Sequence, residues 1–90
     1  MAIADFNETR ATIVRSILAT QGFATEGESD TSFEVVFVDN TRLSVGVTDG
    51  VVSVARVMPS GNVTGQVVFT NMSTSVIAAA ILAMATEMGA

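Results

Sequence analysis

Four carboxylates that lie close together are the residues of this chain best suited to chemistry. They are Glu26, Glu28, Asp30 and Glu34. Alternating acidic residues beside a glycine can wrap a hard cation such as Ca²⁺. The spacing is not that of an EF-hand, because the twelfth position counted from Glu26 is Phe37 rather than a glutamate. We therefore expect residues 24–31 to form a solvated acidic loop that holds no metal.

Two carboxylates can also hydrolyse a glycosidic bond when they flank a substrate cleft. A domain of 90 residues has little room for such a cleft. Other catalytic chemistry lacks its usual groups, since the chain contains no His, Cys, Lys, Trp or Tyr. It also has no nucleophile elbow and no phosphate-binding loop. The sequence predicts a protein that is not an enzyme and that uses no cofactor.

Charge and composition indicate which classes of partner the protein can bind and in which cell compartment it is found. A formal charge of −5 disfavours direct binding to nucleic acid or to an anionic membrane. The absence of cysteine fits a reducing compartment. The first residues lack the basic flank and apolar run of a signal peptide, and the longest apolar run, residues 76–85, is too short to span a bilayer. We expect a cytoplasmic protein.

Local signals predict a helix near the start of the chain. Asp5 followed by Glu8 resembles a capping box at its first turn. Apolar residues then recur at helical spacing. Gly22 is expected to adopt the left-handed backbone conformation that follows the last helical turn. Phe23 can then fold back and pack against Leu18.

A period of two then predicts four strands, over about 32–38, 42–48, 51–58 and 63–70. Asp49-Gly50 favours a type I′ turn that pairs Val47 with Val52. A four-residue turn at 59–62 continues the meander, pairs Val54 with Val67 and places Val63 on the same apolar face.

The connection between the first two of these strands has two possible lengths. A three-residue loop over 39–41 places Phe33, Val35 and Phe37 on the apolar face, whereas a two-residue loop places Val36 and Val38 there. We favour three residues because that choice buries the larger side chains together.

A last helix is predicted to begin near Asn71 or Ser73 and to end before Gly89. It is apolar nearly all round, which is typical of a helix covered on more than one side. The predicted fold is an α+β domain spanning residues 1–90. It has a four-stranded antiparallel meander with both helices on one face, in the order α-β-β-β-β-α.

The arginines are expected to serve structure rather than ligand binding. Arg56 falls on the apolar face beside Leu43, where its head can snorkel to solvent; pairing with an acid or an anionic ligand is the alternative. Arg42 points to the opposite face. Arg10 and Arg15 are expected on the exposed side of the first helix.

The second sheet face and the last helix carry more apolar side chains than an exposed surface needs. The interface candidates are Val36, Val38, Val57 and Val68 on the sheet, and Ala79, Leu82 and Ala83 on the helix. The alternative is that Val, Thr and Ser are present only as good strand formers.

The favoured hypothesis is a non-catalytic protein-protein interaction module that acts as a homodimer. Its acidic cluster, Glu26, Glu28, Asp30 and Glu34, would complement a basic surface on a partner protein. In size and acidity the chain is similar to small secretion chaperones and to small phage-encoded inhibitors, so the hypothesis covers an inhibitor, an adaptor or a chaperone-like factor. Two alternatives stay open: a virion or shell assembly subunit, and a small-molecule-binding domain with methionines lining its pocket.

Overall fold

Two helices and five strands make up the fold. A computed structural model describes residues 3–89 of the chain. The elements are α1 Ile3–Thr20, β1 Ala24–Ser29, β2 Ser32–Val36, β3 Arg42–Thr48, β4 Val51–Val57, β5 Val63–Phe69 and α2 Thr74–Met88. The strands form one antiparallel sheet in sequence order, with β1 and β5 at its edges. The predicted α+β meander between two helices is confirmed, with one strand more than predicted.

The additional strand is β1, which occupies the segment predicted as an acidic loop. Ala24 pairs with Val36 and Gly27 with Phe33, and a turn at residues 30–31 leads into β2. The prediction of a loop was wrong. The side chains of β1 are mostly exposed, so the sequence shows no alternation of buried and exposed residues there. Such a strand is held by its backbone hydrogen bonds and does not need the apolar alternation that marks a half-buried strand.

The end of α1 was predicted correctly and its start was not. Gly22 has a φ of 92°, and the Phe23 amide donates a 3.1 Å hydrogen bond to the Leu18 carbonyl oxygen. This is the six-to-one bond of a Schellman motif. The helix begins at Ile3, so Asp5 lies within the helix and is not its N-cap.

The hairpin between β3 and β4 has the predicted geometry. Asp49 and Gly50 both have positive φ, 52° and 80°, as a type I′ turn requires. Val47 pairs with Val52, which sets the register of both strands.

The connection between β2 and β3 is longer than predicted, but Phe33 and Val35 still lie on the apolar face. Val36 pairs with Arg42, so five residues, 37–41, form the connection instead of three. The two-residue difference keeps Phe33 and Val35 on the same face, because alternation has a period of two. Phe37 packs edge-on against Phe23, with ring centroids 6.2 Å apart.

A bulge alters the hairpin between β4 and β5. Val54 pairs with Val67, as predicted, but the register shifts between Arg56 and Val57. Val63 consequently lies opposite Val57 and shares its face of the sheet. Prediction of Val63 on the apolar face was wrong because an inserted residue reverses the alternation beyond it.

Both helices pack on one face of the sheet. The Ser73 side chain caps α2 by accepting a hydrogen bond from the Val76 amide, and α2 ends before Gly89 as predicted. The helices and the central strands share one buried core. Its members are Ala11, Val14, Leu18, Phe33, Val35, Leu43, Val45, Val47, Val52, Val54, Ile77, Ala78, Ile81 and Ala85.

Candidate interaction surface

The last strand of the sheet, β5, is exposed along almost its whole length. Six of its seven residues are exposed, and only Phe69 is half-buried. Val67 lies on the helix-covered face opposite Val54, yet 43% of its surface is exposed whereas Val54 is 2% exposed. Val68, on the other face, is 53% exposed. This strand therefore presents apolar side chains on both faces beside an unpaired backbone edge.

The stretch of sequence that contains β5 carries no charge. Residues 57–86 contain no Asp, Glu, Lys or Arg, and this segment includes β5 and all but the last two residues of α2. Apolar patches without charged residues are typical of protein-protein interfaces. The charge-free segment is visible in the sequence, but only the fold shows that its strand is exposed.

A groove of about 500 Å³ opens between α2 and the outer part of the sheet. Leu43, Val54 and Val67 form its floor from the sheet, and Met84 and Met88 form its wall from α2. The groove exists because α2 packs beside α1 and leaves β5 largely uncovered. Methionine side chains are flexible and adapt readily to different partners.

Charged and polar residues also line this groove. Asp39, Arg56 and Glu87 lie there together with Gln66. Hydrogen bonds donated by Thr41, of which the backbone amide gives one at 2.9 Å, lower the pKa of the Asp39 carboxyl, and the Arg56 guanidinium contributes a smaller effect. Arg56 pairs with Leu43 across the strands and is exposed, in agreement with its predicted position.

The predicted acidic cluster lies at the opposite edge of the sheet. Glu26 and Glu34 are cross-strand partners on β1 and β2, and the side chain of Arg42 on β3 forms an ion pair with each of them. Its Nη1 atom is 2.6 Å from Glu34 and 3.1 Å from Glu26. Hydrogen bonding to Glu34, and secondly to Glu26, raises the pKa of the Arg42 guanidinium. Two of the four predicted partner-binding carboxylates are therefore partly neutralised within the chain.

The other two acidic candidates are available to solvent. Glu28 lies at the irregularity between Gly27 and Ser29, and Asp30 lies in the following turn. Both are exposed, and neither forms an ion pair within residues 3–89. The β1 edge thus differs from the β5 edge in bearing negative charge.

The seven predicted interface residues do not form a single surface. Val36 and Val57 lie in one row across the second sheet face, both paired with Arg42, and Val68 lies in another row opposite Ser53. Val38 lies beyond the end of β2 and is fully exposed.

The three helical candidates lie on the other side of the sheet. Ala79 and Ala83 are exposed on α2, and Leu82 is half-buried against the core. Val76, in the first turn of α2, is apolar and yet 50% exposed. The sequence did not indicate that Met84 and Val67 line a groove at the surface, because apolar residues are equally typical of a buried core.

Arg10 departs most from its predicted exposed position. It is buried, and its guanidinium donates hydrogen bonds to the carbonyl oxygens of Gly50 and Met72. The ring of Phe6 lies 4.6 Å from its central carbon. Arg15 is half-buried and donates a 3.0 Å hydrogen bond to Thr25. Both arginines reach across the fold from α1, which helical spacing alone cannot reveal.

Metal-binding groups and membrane-spanning helices were both sought in the part of the chain that the structure describes. Within residues 3–89, no group of three or more metal-ligating side chains is positioned to hold an ion. No helix in that part combines the length and apolarity needed to cross a membrane.

Comparison with known proteins adds no further constraint. Neither protein-family models, nor curated proteins, nor solved structures match this chain. The arrangement of charge and exposure in the fold is therefore the basis for a functional proposal.

Proposed function

We propose that this chain is a non-catalytic protein-interaction module that acts as a cytoplasmic homodimer. One observation carries the proposal: the two edges of the sheet have opposite character. The β1 edge carries Glu26 and Glu28, whereas β5 has no charged residue and is exposed on both faces. An uncharged apolar edge suits self-association, and an acidic edge suits a basic partner.

The charge distribution supports separate roles for the two edges. Each copy carries a formal charge of −5, so copies approaching by their acidic edges would repel each other. Association through the uncharged side keeps those edges apart. The acidic edge then remains available to an inhibitor or adaptor function toward a protein with a basic surface.

The residue inventory supports a non-catalytic role. The chain has no His, Cys or Lys to activate its serine and threonine hydroxyls. Of the acidic cluster, Glu26 and Glu34 share Arg42 on the open face of the sheet. Carboxylates held by an arginine on such a face are not arranged to flank a substrate.

Sedimentation equilibrium or size-exclusion chromatography with light scattering tests self-association directly. A concentration-dependent equilibrium between monomer and dimer is expected. A monomer at every concentration up to the millimolar range would contradict the homodimer, and open-ended polymers would favour the assembly-subunit alternative.

The acidic edge is tested with an arginine-rich peptide as the basic probe. In the edge variant, three carboxylates become amides: Glu26→Gln, Glu28→Gln and Asp30→Asn. In the control variant, three carboxylates elsewhere become amides: Asp39→Asn, Asp49→Asn and Glu87→Gln. Both variants have the same net charge. We expect the edge variant to lose more affinity and to associate more slowly. Equal losses would show that only net charge matters and would remove the proposed role of the edge.

The groove beside α2 favours small-molecule binding as a second candidate function. Its volume of about 500 Å³ lies within the range of ligand pockets, and its wall includes Met84 and Met88. Native mass spectrometry of the purified protein tests this candidate. A retained ligand that is lost on Met84→Glu substitution would support it, and an unliganded mass throughout would argue against it.

A further inference from the structure

The two edges of the sheet differ in their capacity to pair with another strand. Exposed edges are normally protected by charges, proline, bulges or a covering segment. β1 has Glu26, Glu28 and an irregularity beside Gly27. From Gly65 to Phe69, β5 pairs regularly with β4 and has no charge, no proline and no covering helix. Only the β5 edge is therefore ready to accept a strand.

We propose that two copies of this chain pair through β5 in antiparallel orientation, joining their five-stranded sheets into one continuous sheet of ten strands. This inference rests on the proposed homodimer and specifies how that homodimer forms. The antiparallel arrangement follows from symmetry, because two identical strands related by a two-fold axis perpendicular to the sheet run in opposite directions.

The same axis determines where the helices lie. A two-fold axis perpendicular to the sheet keeps the helices of both copies on the same face. The groove beside β5 in one copy then opens toward the groove of the other copy. Val67 and Met84, which line that groove, come close to the junction, where the partner strand and its flanking side chains cover them. Strand pairing supplies backbone hydrogen bonds, and the groove supplies apolar contact.

Edge character explains why association stops at two copies. An open-ended assembly requires each copy to offer two compatible edges, so β5 of one copy would pair with β1 of the next. That pairing places the charged and irregular β1 against an uncharged strand, without a positive group on β5 to compensate Glu26 or Glu28. Pairing of β5 with β5 uses the one open edge of each copy and leaves the acidic edges far apart.

A basic protein is a weaker candidate for the β5 edge than a second copy. No carboxylate lies on β5, and the nearest charged residues of the groove, Asp39, Arg56 and Glu87, are of mixed sign. A stable interface buries about 800 Å² per partner, which is roughly a sixth of the 5112 Å² surface of this chain. The regular part of β5, five residues from Gly65 to Phe69, is about 17 Å long, so the interface needs the adjoining groove as well.

Lysine substitutions on the exposed edge test the pairing. The double variant Gln66→Lys and Val68→Lys places charge on β5, with Ala19→Lys and Ser16→Lys on the exposed side of α1 as the matched control. In sedimentation equilibrium we expect the β5 variant to weaken dimerisation by about tenfold or more, because like charges then face each other across the junction. The α1 control should dimerise like the wild type. Far-UV circular dichroism and thermal unfolding establish that each variant remains folded.

Spin labels on single introduced cysteines give an independent measurement, since the chain has no native cysteine. Labels at Gln66→Cys should show strong dipolar broadening in the dimer. Labels at Glu28→Cys on β1 should lie about 43 Å apart, from nine inter-strand spacings of about 4.8 Å.

The outcomes separate the two proposals. A dimer that persists in the β5 lysine variant, with no broadening at position 66, would overturn strand pairing and leave the homodimer standing. A wild-type protein that stays monomeric would overturn both. Polymers in which labels at positions 66 and 28 come close to each other would show pairing of β5 with β1 and would overturn the closed dimer.

Discussion

The Nη1 atom of Arg10 lies 2.9 Å from the carbonyl oxygen of Gly50, forty positions further along the chain. Its Nη2 atom lies 3.1 Å from the carbonyl oxygen of Met72. One buried side chain of α1 thus connects the turn between β3 and β4 with the segment that leads into α2. Asn7 adds to this junction by accepting a 2.8 Å hydrogen bond from the Gly50 amide.

Replacing Arg10 should therefore destabilise the fold strongly. We expect Arg10→Met to lower the free energy of unfolding by about 2–4 kcal/mol, because two carbonyl oxygens lose charged donors in a buried place. Arg15→Met makes the same charge change and removes one hydrogen bond to a hydroxyl, so its cost should be about 1 kcal/mol. Urea unfolding followed by far-UV circular dichroism compares them. Equal costs would show that the junction does not depend on Arg10.

Val54 and Val67 are cross-strand partners with very different exposure, 2% and 43%. Val54→Ala should cost about 2–3 kcal/mol, since it removes buried methyl groups and leaves a cavity. Val67→Ala should cost less than about 1 kcal/mol in the dilute monomer. If dimerisation covers Val67, the cost of its replacement should rise with protein concentration, whereas the cost at Val54 should not. Unfolding measured at several concentrations distinguishes the two positions.

Gly22 and Gly46 offer a matched pair of glycine substitutions. Gly22 ends α1 with a φ of 92°, where an alanine is strained, and we expect Gly22→Ala to cost about 1 kcal/mol or more. Gly46 lies in β3 with open space where a Cβ would be, so Gly46→Ala should change stability by less than about 1 kcal/mol, with a gain as the expected sign. Midpoints of thermal unfolding measure both. A smaller cost at Gly22 than at Gly46 would contradict the backbone explanation.

Asp39 should make stability depend on pH. Hydrogen bonds from Thr41 lower the pKa of its carboxyl in the folded state below the ordinary value of 3.8. A lowered pKa means that the ionised carboxylate stabilises the fold at neutral pH and that this contribution disappears as pH falls through the lowered pKa. Asp39→Ala should therefore unfold at a lower temperature than wild type at pH 7, with the difference shrinking below about pH 4. A difference that stays constant down to pH 2 would exclude this linkage.

Local signals in the sequence predicted the parts of the fold that depend on neighbours along the chain. Gly22, the Asp49-Gly50 turn and the Ser73 cap are short-range features whose backbone conformation is set by residue type. The pairings of Val47 with Val52 and of Val54 with Val67 followed from turn length and alternation. For the same reason, the sequence predicted which face of the sheet is apolar.

Other features required contacts between distant segments. β1 forms because its backbone can pair with β2, although its exposed side chains carry no strand pattern. The bulge between β4 and β5 places Val63 on the other face of the sheet, and no residue in that part of the sequence predicts this shift. The burial of Arg10 depends on two carbonyl oxygens contributed by distant loops.

For the candidate interaction surface too, some features follow from the sequence and others only from the tertiary structure. By itself, the sequence determined the residue types available: no His, Cys or Lys, a cluster of carboxylates over residues 26–34, and a charge-free stretch over residues 57–86. Only the tertiary structure decided that α2 packs beside α1 and leaves β5 bare, and that Arg42 holds Glu26 and Glu34. The physical reason is that exposure depends on where a helix finds its best packing, and an apolar residue has the same local pattern whether it is covered or not.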